Sequence, residues 1–418
     1  MDLSVVELFA GVGGFRVGLN DINSFDNKTG RAIENRNWNF VWANQFEPAY
    51  KAQDAFECYV KRFGSEDVSN LDINLVDKKE IPNHNLLVGG FPCQDYSVAR
   101  SLSNEQGIEG KKGVLFWQIR DTLIEKKTSF VLLENVDRLL KSPASKRGRD
   151  FAVMLKTLDD LGYNLIWRVI NAANYGMPQK RRRVFIFAFK KETKYSKELE
   201  KQDLEGILKT NFINKLFPID IENKNRKVVD LKNYKDIADV SDNYKEGKFF
   251  ETGVMINQKI LSSDLDPIEE DIYTLGKILL EANYYNSADL SDYVVEDESL
   301  EKWKYLKGSK RVKRINKQGH EYYYSEGSMS FPEAINSPAR TMLTSEGTVN
   351  RSSHIIFDEN IRKYRIITEV EAELIQMFPP NWTDTMPKRR RYFMMGNALV
   401  TGIINRMEKD LRAIIENE

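Results

Sequence analysis

Cysteine and histidine are scarce in this chain: two cysteines, Cys58 and Cys93, and three histidines, His84, His320 and His354, among 418 residues. Two cysteines exclude a disulfide framework, and histidines scattered this far apart have no metal-ligand spacing, so no metal site is expected. A reduced, cytoplasmic setting follows. Long hydrophobic runs are missing as well, and the start Met1-Asp2-Leu3-Ser4 lacks the basic and apolar segments of a secretion signal. No membrane partner is expected. Charge of one sign is not in excess either, because Lys plus Arg and Asp plus Glu stand at 62 each. Bulk charge is therefore silent about polyanions, and any nucleic-acid contact must rest on local patches.

What is present begins with a length beyond the usual limit of one hydrophobic core, so more than one domain is expected. Val5-Val6-Glu7-Leu8-Phe9 is rich in strand-forming residues and runs at once into Ala10-Gly11-Val12-Gly13-Gly14-Phe15. Strand, glycine turn and helix cradle nucleotide-like cofactors, because glycine lets backbone approach a ligand closely. The spacing is not G-x-G-x-x-G and no phosphate-loop lysine follows, which weakens the dinucleotide and ATP readings. A tight structural turn fits the same residues. A second strand, Phe40 to Ala43, ends in Asn44-Gln45-Phe46, where polar groups commonly bond ribose hydroxyls and an aromatic covers a purine. An ordinary strand-to-helix turn is the alternative there. Glu66-Asp67-Val68 offers a further carboxylate.

The apolar run Leu86-Leu87-Val88 leads into Gly89-Gly90-Phe91-Pro92-Cys93-Gln94, which turns sharply at the carboxyl end of a buried strand. Open α/β sheets bind ligands at that edge, so Cys93 is displayed where a thiolate can meet a substrate, and an inert buried cysteine is the competing reading. Residues 95–113, with Gly107, Gly110, Gly113 and the pair Lys111-Lys112, have the make-up of either a lid or a plain connection. Phe130 to Leu133 forms another strand and ends in Glu134-Asn135-Val136. A carboxylate at such a position is costly without partners and marks a site. Gln179-Lys180-Arg181-Arg182-Arg183 enters the strand Val184 to Phe189, and alternation puts Arg181 and Arg183 on one face. A solvated charged edge is the competing reading.

From about residue 190 the apolar periodicity weakens and β/α alternation is lost. The expected division is a catalytic and cofactor-binding domain over 1–192, a second domain over 193–337, and a return segment over 338–418 that completes the first. Inside the middle part, a basic stretch from Lys302 to Lys317 is interleaved with Tyr305 and followed by Tyr322-Tyr323-Tyr324, which suggests one face that meets phosphate, with a solvated basic loop as the alternative. Lys310, Arg311, Lys313, Arg314 and, further on, Arg340 are the candidate contacts. The chain closes with Gly396-Asn397-Ala398 and an amphipathic helix carrying Leu399, Ile403, Met407, Leu411, Ile414 and Ile415 on one face. The expected architecture is α/β: a twisted, mainly parallel sheet flanked by helices, with the last helix returning to pack on it.

Taken in order, Phe9-Ala10-Gly11-Val12-Gly13-Gly14, Phe91-Pro92-Cys93-Gln94 with Ser97, Glu134-Asn135-Val136, Gln179 to Arg183, and Gly396-Asn397-Ala398 closely resemble the motif blocks of the cytosine-C5 DNA methyltransferases. The resemblance covers residues 1 to about 190 and about 338 to 418. It implies a Rossmann-like S-adenosylmethionine-dependent methyltransferase sheet, with the smaller, irregular middle region as target-recognition domain. It also implies S-adenosyl-L-methionine as cofactor and double-stranded DNA as partner, bound by a monomer. Phe9, Gly11, Gly13, Gln45, Phe46, Asp67 and Asn397 are implied cofactor contacts; Gln45 stands where many members carry Glu. Cys93 is implied as the nucleophile that adds to C6 of a flipped-out cytosine, Glu134 as the acid at N3, and Arg181 and Arg183 as donors to the base carbonyl and adjacent phosphate. Gln94 and Ser97 are implied to close over the DNA.

Overall fold

The computed structural model describes residues 1–91, 115–285, 289–315 and 319–418. Cys93, Gln94, Ser97 and the expected lid over 95–113 lie outside the described residues.

Short β-branched and aromatic runs build one large sheet. Its first strands are β1 (Ser4–Leu8), β2 (Asn39–Asn44), β3 (Val68–Ser69), β4 (Leu86–Gly90), β5 (Phe130–Val136), β6 (Tyr163–Asn171) and β7 (Arg182–Lys190). They stand in the order β3-β2-β1-β4-β5-β7-β6. Pairing is parallel from β3 through β5, and β7 then enters antiparallel between β5 and β6. β5 is buried on both faces, as the uninterrupted run Phe130-Val131-Leu132-Leu133 requires.

The sheet does not stop where the composition changes. Thr252–Ile256, Lys259–Ser263 and Arg226–Asp230 continue it beyond β6, and each of these pairings is antiparallel. The sheet is therefore mixed rather than mainly parallel, and part of the region expected to stand apart over 193–337 belongs to the central layer. Antiparallel neighbours need no crossover helix, so the β/α rhythm disappears from the sequence while the sheet goes on.

Two apolar layers cover the sheet. One contains Phe116, Trp117, Phe151, Leu155 and Trp167; the other contains Phe15, Leu19, Phe130 and Phe187 together with the final helix Thr401–Glu416. That helix buries Ile403, Met407, Leu411 and Ile415, as its amphipathic pattern predicts. It lies so close to helix α1 (Gly14–Leu19) that a Cβ at Gly18 would come within 2.5 Å of Ile404. Among the described residues no helix is long and apolar enough to cross a membrane, and no group of three or more His, Cys, Asp or Glu is set to hold a metal ion.

Candidate active site

The carboxyl edge of the parallel half carries two clusters. At the first, the chain leaves β1 through Phe9 at φ 56°, Gly11 at φ 55° and Gly13 at φ 86°. Left-handed backbone at three of five residues costs little at glycine and more at Phe9, so neighbours must hold the turn in place. They do: Gly11 N–H donates to Gln45 Oε1 at 2.7 Å, and Ala10 N–H donates to the Asn44 carbonyl at 3.0 Å. Glu7 sits underneath, fully buried, accepting from Phe15 N–H at 3.3 Å and from the Tyr59 hydroxyl at 3.1 Å. Burial pushes the Glu7 carboxyl up to about 7, with the Tyr59 hydrogen bond and the Arg16 charge pulling the other way.

A Cβ at Gly13 would collide with the Phe63 ring at 2.5 Å, whereas one at Gly11 would meet nothing within 4 Å. Gly13 is thus a packing requirement, and Gly11 faces open space that a side chain would fill. Gln45 is buried, its carbonyl held by Asn70 Nδ2 at 2.7 Å, while Phe46 is 36% exposed beside it. Asp67 lines a cleft of about 330 Å³ with Arg16, Arg31, Tyr59 and Phe63. Asn397 is the exposed last residue of helix Lys388–Asn397, and the chain just beyond it brings Leu399 to 3.3 Å from where a Cβ at Gly14 would sit.

At the second cluster, Glu134 lies near the end of β5 with Arg183 Nε 2.8 Å from its Oε1. Gly90 is its neighbour across β4, and a Cβ there would stand 3.1 Å from Glu134 Oε2. Glycine at 90 therefore makes room for the carboxylate. Burial pushes the Glu134 carboxyl up, against the opposing charges of Arg183 and Arg181. Arg181 and Arg183 do share a face, but they differ in access. Arg181 is 1% exposed and donates to the carbonyls of Met342 at 3.0 Å and Gly396 at 2.9 Å; burial lowers it to about 9. Arg182 points away, to Asp137 and Glu251.

Two polar residues near this cluster carry parts that sequence reasoning left unassigned. Asn135 donates from Nδ2 to the Phe91 carbonyl at 2.8 Å, which fixes the chain two residues before Cys93. Gln179 is fully buried and accepts from Met342 N–H at 3.4 Å. Their signal was adjacency to Glu134 and Arg181; Glu7 could have been found by the same reasoning that singled out Glu134, since it too is an acid inside an apolar strand.

The family description "C-5 cytosine-specific DNA methylase" matches residues 3–413. The type II methyltransferase M.Sau3AI of Staphylococcus aureus is 50% identical over 416 residues, covering 99% of this chain and 96% of that protein. The chain belongs to the C-5 cytosine-specific DNA methylase family. M.HhaI of Haemophilus parahaemolyticus is 32% identical over 190 residues, 46% of this chain and 50% of its own. Among solved structures, Dnmt2 of S. pombe aligns at TM-score 0.56 and 15% identity, over 99% of this chain and 98% of that one. At that identity it speaks for the fold alone.

In this methylase the basic candidates of the middle region fall into two classes. Lys310, Arg311, Lys313 and Arg314 lie on the strand Lys310–Ile315 of an isolated hairpin whose partner is Glu321–Glu326. Arg314 stacks 3.8 Å over the Tyr324 ring, Arg311 4.4 Å over Tyr323, and Lys310 4.4 Å over Tyr305. Lys313 pairs with Glu321 at 2.7 Å on the exposed surface. Arg340 differs, because one edge of its guanidinium faces Glu333, with Nε at 2.8 Å and Nη2 at 2.6 Å, and Glu333 also holds the buried Lys307 at 2.8 Å. That geometry makes Arg340 an anchor of the hairpin's base rather than an open basic contact.

Proposed function

We propose that this DNA cytosine-5-methyltransferase takes its methyl group from S-adenosyl-L-methionine and delivers it to a cytosine turned out of double-stranded DNA at a specific sequence. Its setting is that of the modification half of a type II restriction-modification pair, following the full-length relative. The observation that carries the reading is the Glu134–Arg183 pair at a strand end that Asn135 ties to Phe91, two residues before Cys93 in the sequence.

The residues present fit the cofactor. Gly11 leaves open space in front of the turn, Gln45 and Phe46 supply an amide and an exposed ring at the end of β2, and Asp67 and Asn397 stand exposed at the rim. When bound, S-adenosyl-L-methionine supplies a sulfonium methyl group, an electrophile that a bare cytosine C5 is too weakly nucleophilic to take. Phe9, Gly11, Gly13, Gln45, Phe46, Asp67 and Asn397 would hold it.

The chain's own part is to make C5 a nucleophile. The Cys93 thiolate adds to C6 and pushes electron density to C5. Charge would build on the ring unless N3 is protonated, and a buried carboxyl whose affinity for the proton is raised is suited to donate there. Arg183, with Nε on Glu134 and Nη1 on the Arg182 carbonyl, would offer its remaining Nη2 to the base carbonyl. Arg181, enclosed behind it, keeps the local field positive and ties the cluster to residues 342 and 396. Once C5 carries the methyl group, loss of the C5 proton to water, return of the N3 proton to Glu134 and expulsion of the thiolate restore the ring. C5 and C6 are out of reach in a stacked duplex, so the base must leave the helix, and Gln94 and Ser97 are the candidates to close over it. The hairpin Lys310–Glu326 would meet the phosphates and, through the major groove, the bases. Target recognition then falls to that part of residues 193–337 that lies outside the sheet.

Labelled methyl transfer to duplex DNA and to RNA tests the reading, with bisulfite sequencing of plasmid from expressing cells locating the product. Transfer confined to one cytosine of a fixed DNA sequence is expected. Transfer to RNA alone, or none to DNA, would overturn it.

A further inference from the structure

The run Lys388-Arg389-Arg390-Arg391 opens the helix Lys388–Asn397, and Arg390 is not a solvated cation. Its guanidinium bridges two carboxylates, Glu47 and Asp54, in a site where the three side chains are only 13%, 10% and 12% exposed. The Tyr50 ring lies 4.2 Å from the guanidinium carbon and the Phe393 ring 4.7 Å, and the two rings meet edge to face. Such a fork between two acids and two rings is a geometry that lysine cannot reproduce in full.

What Arg390 joins is more telling than how tightly it is held. Glu47 follows Gln45 and Phe46 directly and reaches forward to accept from Ala55 N–H at 3.2 Å, at the start of helix α2 (Asp54–Phe63). Gln53 closes the loop by accepting from Glu47 N–H at 2.8 Å and donating to the Tyr50 carbonyl at 2.8 Å. Asn70 then ties Gln53 back to the Gln45 carbonyl. The far end of Arg390's own helix is Asn397, and the Gly396 carbonyl beside it is held by Arg181. One guanidinium therefore fastens the loop bearing Gln45 and Phe46 to the helix bearing Asn397.

We infer that Arg390 is a positioning residue for cofactor binding, a clamp that keeps the loop over residues 45–54 and the helix ending at Asn397 at a fixed separation. The inference rests on the cofactor reading above. Without the cation, Glu47 and Asp54 are two neighbouring, poorly solvated acids that repel each other, and the loop carrying Gln45 and Phe46 moves off the site. The methyl-transfer chemistry at Glu134 has no part in this contact, so the effect belongs to cofactor affinity and not to turnover.

Calorimetric binding of S-adenosylhomocysteine to the full chain, beside steady-state kinetics and melting curves, tests the clamp. Arg390→Met is expected to raise both the Kd for S-adenosylhomocysteine and the KM for S-adenosylmethionine about tenfold or more, with kcat at saturating cofactor and KM for DNA within about twofold. Arg390→Lys, which restores a charge without the fork, is expected to recover most of that loss. Unchanged S-adenosylhomocysteine affinity in Arg390→Met, or equal losses in kcat and DNA affinity, would overturn the clamp while leaving the cofactor reading intact. Wild-type protein that binds no S-adenosylhomocysteine would sink the cofactor reading and the clamp together. Should Arg390→Met fail to fold, Glu47→Gln, which removes one of the two carboxylates that Arg390 bridges, carries the test: affinity weakened by about threefold or more supports the clamp, and unchanged affinity overturns it.

Discussion

The edge of the sheet at Glu134 and the hairpin of strands Lys310–Ile315 and Glu321–Glu326 both gather charge, yet they treat it in opposite ways. At the sheet edge the side chains of Glu134 and Arg183 are 12% and 16% exposed and Arg181 is sealed. On the hairpin Lys313 and Glu321 are 55% and 58% exposed, and Tyr323 is 57% exposed. The difference fits the parts proposed for each. A group that gives up a proton needs its affinity for that proton set by burial and neighbours, whereas a group that meets a polyanion needs its charge intact and its side chain free to settle on phosphate.

Removing the acid should have the larger effect. Glu134→Gln is expected to lower kcat by roughly 10²–10⁴-fold while S-adenosylhomocysteine binding is retained, as measured by single-turnover transfer and calorimetry. If a hairpin arginine cost as much in kcat as Glu134, the distinction between the two regions would be lost.

The buried set also makes a prediction about stability. Glu7 titrates near 7 in the folded chain against 4.5 as the ordinary value, so the folded state binds the proton more tightly than the unfolded state does. Stability is then fully present below pH about 4.5 and falls as pH rises towards about 7, by on the order of 3 kcal/mol in all. Denaturant unfolding of Glu7→Gln across that range should show a flatter profile than wild type. A parallel profile would mean that Glu7 is not held as described.

Legibility from sequence followed the same divide between groups with short-range signals and groups defined by distant partners. Glu134, Cys93 and the glycine turn announce themselves because each breaks an apolar strand at its carboxyl end, where the chemistry of α/β sheets is found. The three later strands were hidden. Arg226-Lys227-Val228-Val229-Asp230 is an edge strand with Val228 70% exposed, so its composition reads as surface. Arg340 reads as a candidate contact because Glu333, which also holds the buried Lys307, meets it only through the fold. Arg390 was one letter in a basic run for the same reason: Glu47 and Asp54 lie more than 330 positions away. The enclosure of Arg181 depends on carbonyls at 342 and 396 that no local pattern reveals.

The smallest expected effect lies on the hairpin. Arg311→Ala and Arg314→Ala should each weaken DNA binding by a few-fold and reduce the salt dependence of affinity by about one phosphate contact, read from binding titrations at several salt concentrations. An unchanged salt slope in both would remove the hairpin from the DNA surface and place recognition elsewhere in the middle region.

The central claim is that Cys93 bonds to the target cytosine while Glu134 neutralises the ring. Duplex DNA carrying 5-fluorocytosine at the methylated position blocks loss of the C5 substituent, so the protein should remain covalently attached through Cys93 in the presence of S-adenosylmethionine. A denaturation-resistant adduct with wild-type protein, mapped to Cys93 and absent from Cys93→Ser, is the predicted result. An active wild-type enzyme that forms no adduct, or an adduct that persists in Cys93→Ser, would contradict it.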